Sequence, residues 1–198
     1  MSDVAALPEV TLDGPETRDA ITRALARLHE ESGRYWASLP TARFVAPIGS
    51  AWSPADHVRH LTMSVRAVMR GLELPPLLVW LVFGPARAPS RSYDALRETY
   101  LGALARGGKA GEYTPRPLPS DVDAEAARAR VMAQHTAAVG GLVATASGWS
   151  ERALDRCRLP HPLLGKLTVR EMLLFTLYHN LHHVHVCASR LAALRAGL

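Results

Sequence analysis

The sequence predicts an all-α fold, a four-helix bundle in which a long crossover connection follows the second helix. Two features carry that prediction: four long stretches repeat apolar residues at helical spacing, and no segment shows the convincing alternation of a half-buried strand. A third, the run of residues 72–119 between the second and third stretches, is broken throughout by proline and glycine.

The first helix is expected over Pro15 to Leu39, where Ile21, Leu25, Leu28, Tyr35, Trp36 and Leu39 fall on one face. Pro15 suits a first helical turn, with Gly14 before it, and Pro40 stops the helix. Phe44 to Ser50 (FVAPIGS) is then a connection. The second helix opens at Ser53-Pro54-Ala55-Asp56, a cap, a first-position proline and an acid in the first turn. Val58, Leu61, Val65, Val68 and Met69 form its stripe, and Gly71 with Pro75-Pro76 ends it. The irregular run contains one short helical candidate, Tyr93 to Ala105, and is long enough to let two neighbouring helices run parallel. The third helix spans Asp121 to Ser147, capped by Ser120 or Asp121, with Val131, Met132, Ala138, Leu142 and Val143 inward. Pro160 and Pro162 keep the next connection out of a helix. A Thr168…Glu171 capping box then opens the last helix, which runs to about Ala196.

A chain of 198 residues, 48% hydrophobic, fits one domain over 1–198, with the first ~12 residues expected to be poorly ordered. The net charge of +5 does not make a nucleic-acid footprint, because Lys109 and Lys166 are the only lysines and the arginines are scattered. Two cysteines, Cys157 and Cys187, make no disulfide framework, and the start MSDVAALPEV lacks a signal's apolar core, so a cytoplasmic setting is expected. Leu77 to Phe83 (LLVWLVF) is far shorter than the roughly 20 residues of a membrane span. It reads as a buried segment or a cavity wall.

The chemistry concentrates in LYHNLHHVHVC, residues 177–187, which holds four of the chain's nine histidines. His179 and His183 stand one turn apart on one helix face, a spacing that suits two ligands of one metal ion. His182 and His185 turn away from that face. A third ligand must come from another helix, where His57, His60 and His135 are the comparable residues. His60, beside Leu61, lies on the apolar side, whereas His57 reads as more exposed. One histidine from the second helix and two from the last would make a three-histidine site with open positions. On residue physics alone, a packed or solvent-facing histidine pair stands beside the metal reading.

The stretches Trp52-Ser53-Pro54-Ala55-Asp56-His57-Val58-Arg59-His60-Leu61 and His161-Pro162-Leu163-Leu164-Gly165-Lys166-Leu167-Thr168-Val169-Arg170-Glu171-Met172, followed by His179-Asn180-Leu181-His182-His183, resemble the DinB/YfiT-like superfamily. The resemblance runs from about Arg34 to Leu194. It implies a DinB-type four-helix bundle and a divalent metal, zinc or nickel, on His60, His179 and His183. It also implies chemistry of the kind found in thiol-dependent S-transferases, a maleylpyruvate isomerase and metal-dependent hydrolases, with a low-molecular-weight thiol such as mycothiol or bacillithiol as co-substrate. The alternative is a metal-stabilised bundle that binds without turnover. The expected partner is a small-molecule substrate, with a homodimer left open and neither nucleic acid nor membrane involved. Val186 stands where the family commonly has glutamine and Cys187 where it has isoleucine, so Cys187 is either a fourth ligand or a core residue. Asp56 and His57 either orient the second helix's ligand or sit in a solvated turn. His135 faces a cavity or fills the core, Trp52, Trp80, Phe83 and Tyr178 line a pocket or pack, and His161 shapes the approach to the last helix.

Overall fold

The computed structural model describes residues 5–10, 12, 16–119 and 121–196. In chain order the elements are α1 (Arg18–Ser38), α2 (Thr41–Val45), α3 (Pro54–Glu73), α4 (Pro76–Phe83), α5 (Tyr93–Ala105), α6 (Ala124–Ser147), α7 (Glu151–Arg156), β1 (Arg158–His161), β2 (Gly165–Thr168) and α8 (Val169–Arg195).

The four long helices α1, α3, α6 and α8 form the bundle. Contacts run around a ring, α1 on α6, α6 on α3, α3 on α8 and α8 on α1. The direction of each helix follows from its partners. Thr62 meets His135 while Met69 approaches Gly141, so α3 and α6 are parallel. His57 meets His183 while His60 meets His179, so α3 and α8 are antiparallel. The parallel pair is what the long crossover permits.

Most of each predicted stripe is buried, with Ile21, Leu25, Leu28 and Trp36 on α1, Val58, Leu61 and Val65 on α3, and Ala138 and Leu142 on α6, whereas Met69, Met132 and Val143 are half-buried. Each fully buried leucine contributes about 2 kcal/mol of burial free energy. The last helix differs, because Glu171 to Asn180 are all buried, leaving no solvent face over that span. Its outer side is covered by α5, where Tyr100 packs edge-on against Phe175 and Tyr178.

Several boundaries move. Thr17 caps α1, accepting from Ala20 N–H, while Gly14 and Pro15 lie outside the described residues. Asp123 caps α6, accepting from the N–H groups of Glu125 and Ala126, in place of Asp121; Ser120 lies outside the described residues. Of the first residues, Pro8 is buried and its carbonyl accepts from His185 Nε2, whereas residues 1–4 and 11 lie outside the described set. The connection before α8 holds a short antiparallel hairpin, with Leu159 paired to Leu167 and His161 to Gly165. Gly165 takes φ 75°, the left-handed conformation that a tight turn needs. Strands of four residues are too short for alternation to register, and Pro160 is tolerated because β1 is an edge.

LLVWLVF is the plainest correction. It is helix α4, and only Val79 is buried. Leu77 is 68% and Leu81 63% exposed, so the run is neither a core segment nor, apart from Phe83, a cavity wall. Among the described residues no helix is long and apolar enough to cross a membrane.

Arg170 ties the start of α8 to its surroundings. Its guanidinium donates to both carboxylate oxygens of Asp155 at 2.7 and 2.8 Å, to Glu151 at 2.8 Å and to the carbonyl of Glu16 at 2.7 Å. Replacement by methionine is expected to cost about 2 kcal/mol, because hydrogen bonds to charged groups are lost at a mostly buried side chain. Urea unfolding at neutral pH measures it, and an unchanged midpoint would show the network to be energetically idle.

Candidate metal centre

Two capping boxes fix the helices that supply the site. On α3, Ser53 Oγ accepts from Asp56 N–H at 3.0 Å, and the Asp56 carboxylate accepts from Ser53 Oγ at 2.7 Å and from Arg59 at 3.1 Å. Asp56 is therefore a buried, structural acid and not part of a solvated turn. On α8, Thr168 Oγ1 accepts from Glu171 N–H while Glu171 accepts from Thr168 N–H and Arg91. Antiparallel packing then sets the i,i+3 pair His57 and His60 against the i,i+4 pair His179 and His183.

His60, His179 and His183 converge, with one ring nitrogen from each lying within 4.8 Å of the others. His179 Nε2 is 3.1 Å from His60 Nε2 and 3.1 Å from His183 Nε2. Nitrogens bound tetrahedrally to one ion at ~2.05 Å stand about 3.3 Å apart, close to this spacing. The second nitrogens of two of the rings are engaged elsewhere. His60 Nδ1 donates to the carbonyl of Tyr113 at 2.8 Å, which leaves its Nε2 with a lone pair. His183 Nδ1 lies 2.8 Å from His57 Nδ1.

Burial, reinforced by neighbouring imidazoles, holds His179 and His183 well below the ordinary histidine value; burial likewise lowers His60, against the Tyr113 hydrogen bond. Three neutral imidazoles aimed at one point are a donor set that fits a divalent cation.

The other histidines separate by contact. His57, expected to be exposed, is 1% exposed, and it braces the last helix's ligand, not the second helix's own. Its Nε2 is buried without a partner among the described residues. The sequence signal was its i,i+3 relation to His60, which puts both on one face. His182 is half-buried against Tyr100 and Tyr178 and lines the cavity, so it is not an outward bystander. His185 is exposed and bonded to Pro8. His161 Nδ1 accepts from the N–H groups of Leu163 and Leu164, and its ring packs on Phe175, which stacks on His179. Cys187 is fully buried beside Tyr35, Trp36 and Phe44, burial raises its thiol to about 12, and it stands outside the convergent group.

His135 belongs to the core, with Nδ1 3.2 Å from the Thr62 hydroxyl and its ring edge-on to His29. Nearby, His29 Nδ1, Ser32 Oγ and Trp36 Nε1 are buried without a partner among the described residues. These three residues also line a cavity of about 10 Å³, the space of one water. Burial holds His135 down to about 3. The unfolded chain therefore binds a proton near pH 6.5 that the fold does not, and stability falls as pH drops below 6.5. The expected slope from this residue is about 1.4 kcal/mol per pH unit between pH 6 and 4. Urea unfolding at several pH values should show His135→Gln with a shallower slope than the parent; equal slopes would place the proton uptake elsewhere.

A cavity of about 800 Å³ opens beside the three histidines. Trp52, Phe83, Tyr100, Phe175 and His182 are in its wall, whereas Trp80 and Tyr178 are not. Trp52 lies over the cluster, with ring centroids 5.1 Å from His60 and 6.1 Å from His183. Val186 also lines it, an apolar residue at the position where glutamine was the expected family residue. The profile of the DinB superfamily matches residues 16–187, a span that includes the three converging histidines. No curated protein and no solved structure matches the chain.

Proposed function

The chain belongs to the DinB superfamily, and on that premise we propose that it is a metal-dependent enzyme acting on a small molecule. His60, His179 and His183 hold one divalent ion, zinc or nickel, and a low-molecular-weight thiol or a water is the nucleophile of an S-transferase, isomerase or hydrolase reaction. The observation that supports this best is the convergence of three neutral imidazoles on the wall of a cavity of about 800 Å³, a volume suited to a small ligand.

When bound, a divalent cation supplies Lewis acidity, lowering the pKa of a thiol or water brought to it. The chain's own residues do the rest. Tyr113, through its carbonyl, holds His60 in the tautomer whose Nε2 is free to bind. Trp52, Tyr100 and Phe175 narrow the space around the cluster. His161 accepts two backbone N–H groups on Nδ1, so its proton sits on Nε2, and burial keeps it neutral by lowering it to about 4. From the cavity wall it offers that N–H to a substrate oxygen.

Two measurements test the proposal together. Elemental analysis should find about one divalent ion per chain, and conjugation of monochlorobimane should proceed with at least one of a panel of cellular thiols, stop with chelator and resume on metal addition. Absence of metal would overturn the site. Metal without turnover of monochlorobimane or of ester substrates would leave a binding protein in place of an enzyme.

A further inference from the structure

The wall of the large cavity contains no aspartate or glutamate among the described residues. It does contain two cations. Lys109 comes from the crossover just after α5, and Arg190 from α8, one and two turns beyond Val186 and His183. Both are exposed, and neither has an ion-pair or hydrogen-bond partner among the described residues. On the α3 side, Asp56 is already engaged by Arg59 and Ser53. Three neutral imidazoles would leave the charge of a divalent ion uncompensated, because no carboxylate belongs to the convergent group. A cleft of one sign with low-dielectric walls concentrates the opposite charge. Away from the histidines, Val68, Leu104, Leu163, Met172 and Phe175 give the wall an apolar stretch, interrupted by the hydroxyls of Ser64, Thr114 and Thr176.

We infer that the ligand of this cavity is an amphipathic carboxylate, an aryl or acyl body seated against Leu104, Leu163 and Phe175 with its anionic end met by Lys109 and Arg190. The inference deepens the proposed function by naming its substrate class, and it rests on that reading for the use made of the cavity. Lys109 and Arg190 select the ligand and take no part in bond making.

Calorimetric titration of the metal-loaded protein with 4-phenylbutanoate, 4-phenylbutanol and 4-phenylbutylamine tests this, with the chelated protein titrated in parallel and metal content measured on the same samples. The acid is expected to bind at least ~10-fold more tightly than the alcohol or the amine, and to weaken as salt is raised. In the Lys109→Ala/Arg190→Ala double variant it should fall to parity with the alcohol, whose affinity stays unchanged. Both residues are surface-exposed, so the double variant should keep the parent's melting temperature. Equal or tighter binding of the alcohol or amine, or no binding of any probe, would overturn the ligand class. An acid preference that survives the double substitution but disappears with chelator would move the anion to the metal and overturn the roles of Lys109 and Arg190. A protein that takes up no metal when it is supplied, yet prefers the acid, would sink the proposed metal chemistry and leave this inference standing.

Discussion

Alanine in place of His183 is expected to abolish stoichiometric metal binding, from about one ion per chain to a trace, and with it the thermal stabilisation that metal confers. An ion present at 100 times its dissociation constant stabilises the native state by about 2.7 kcal/mol, a melting shift of roughly 5–10 °C for a domain of this size. The parent should show that shift on titration with zinc or nickel, and His183→Ala should not. His179→Ala and His60→Ala should behave alike, because the three Nε2 atoms form one set. His185→Ala is the control, since His185 sits at the surface on the Pro8 carbonyl. A His183→Ala protein that kept the metal-dependent shift would remove this residue from the site.

The second large effect is expected from a residue that touches no metal. For His183 to present a lone pair on Nε2, its proton must sit on Nδ1 and be donated to His57 Nδ1, 2.8 Å away. His57→Leu takes away that acceptor and leaves a buried N–H without a partner. Metal affinity should fall by roughly 10–100-fold, the usual consequence of losing a group that orients a ligand. His57→Asn, which returns a carbonyl oxygen near the Nδ1 position, should recover most of it. Competition with a chromophoric chelator measures all three proteins. Equal loss in leucine and asparagine variants would mean that His57 acts by filling space and not by accepting a proton.

The helical period made the bundle legible, and the breakers after Gly71 made the parallel α3–α6 pair legible, because both are local properties of the chain. Properties that depend on a distant partner were not. The stripe that would mark α8 as amphipathic is absent from Glu171 to Asn180, since α5 covers the side that a lone helix would leave to water. The same covering put His182 into the cavity wall. LLVWLVF shows the converse, because composition alone cannot reveal that α4 lies outside the bundle. In the site, His179 and His183 were readable from their spacing. In sequence, Leu61 marks the side of α3 that carries His60 as apolar, and nothing local marks His57. The two histidines in fact share a face, and only the antiparallel approach of α8 gives His57 something to hold.

The separation of His60 from His179, 119 residues along the chain, has a kinetic consequence. His179 and His183 can meet an ion as soon as their helix has formed, but the third nitrogen arrives only when α3 has docked and a long loop has closed. Coordination by all three histidines would thus reach full strength only after most of the bundle is assembled. Interactions that form this late slow unfolding and leave the folding rate nearly unchanged. The ion would act as a latch on a finished molecule, lengthening its lifetime and leaving its route of assembly as it was.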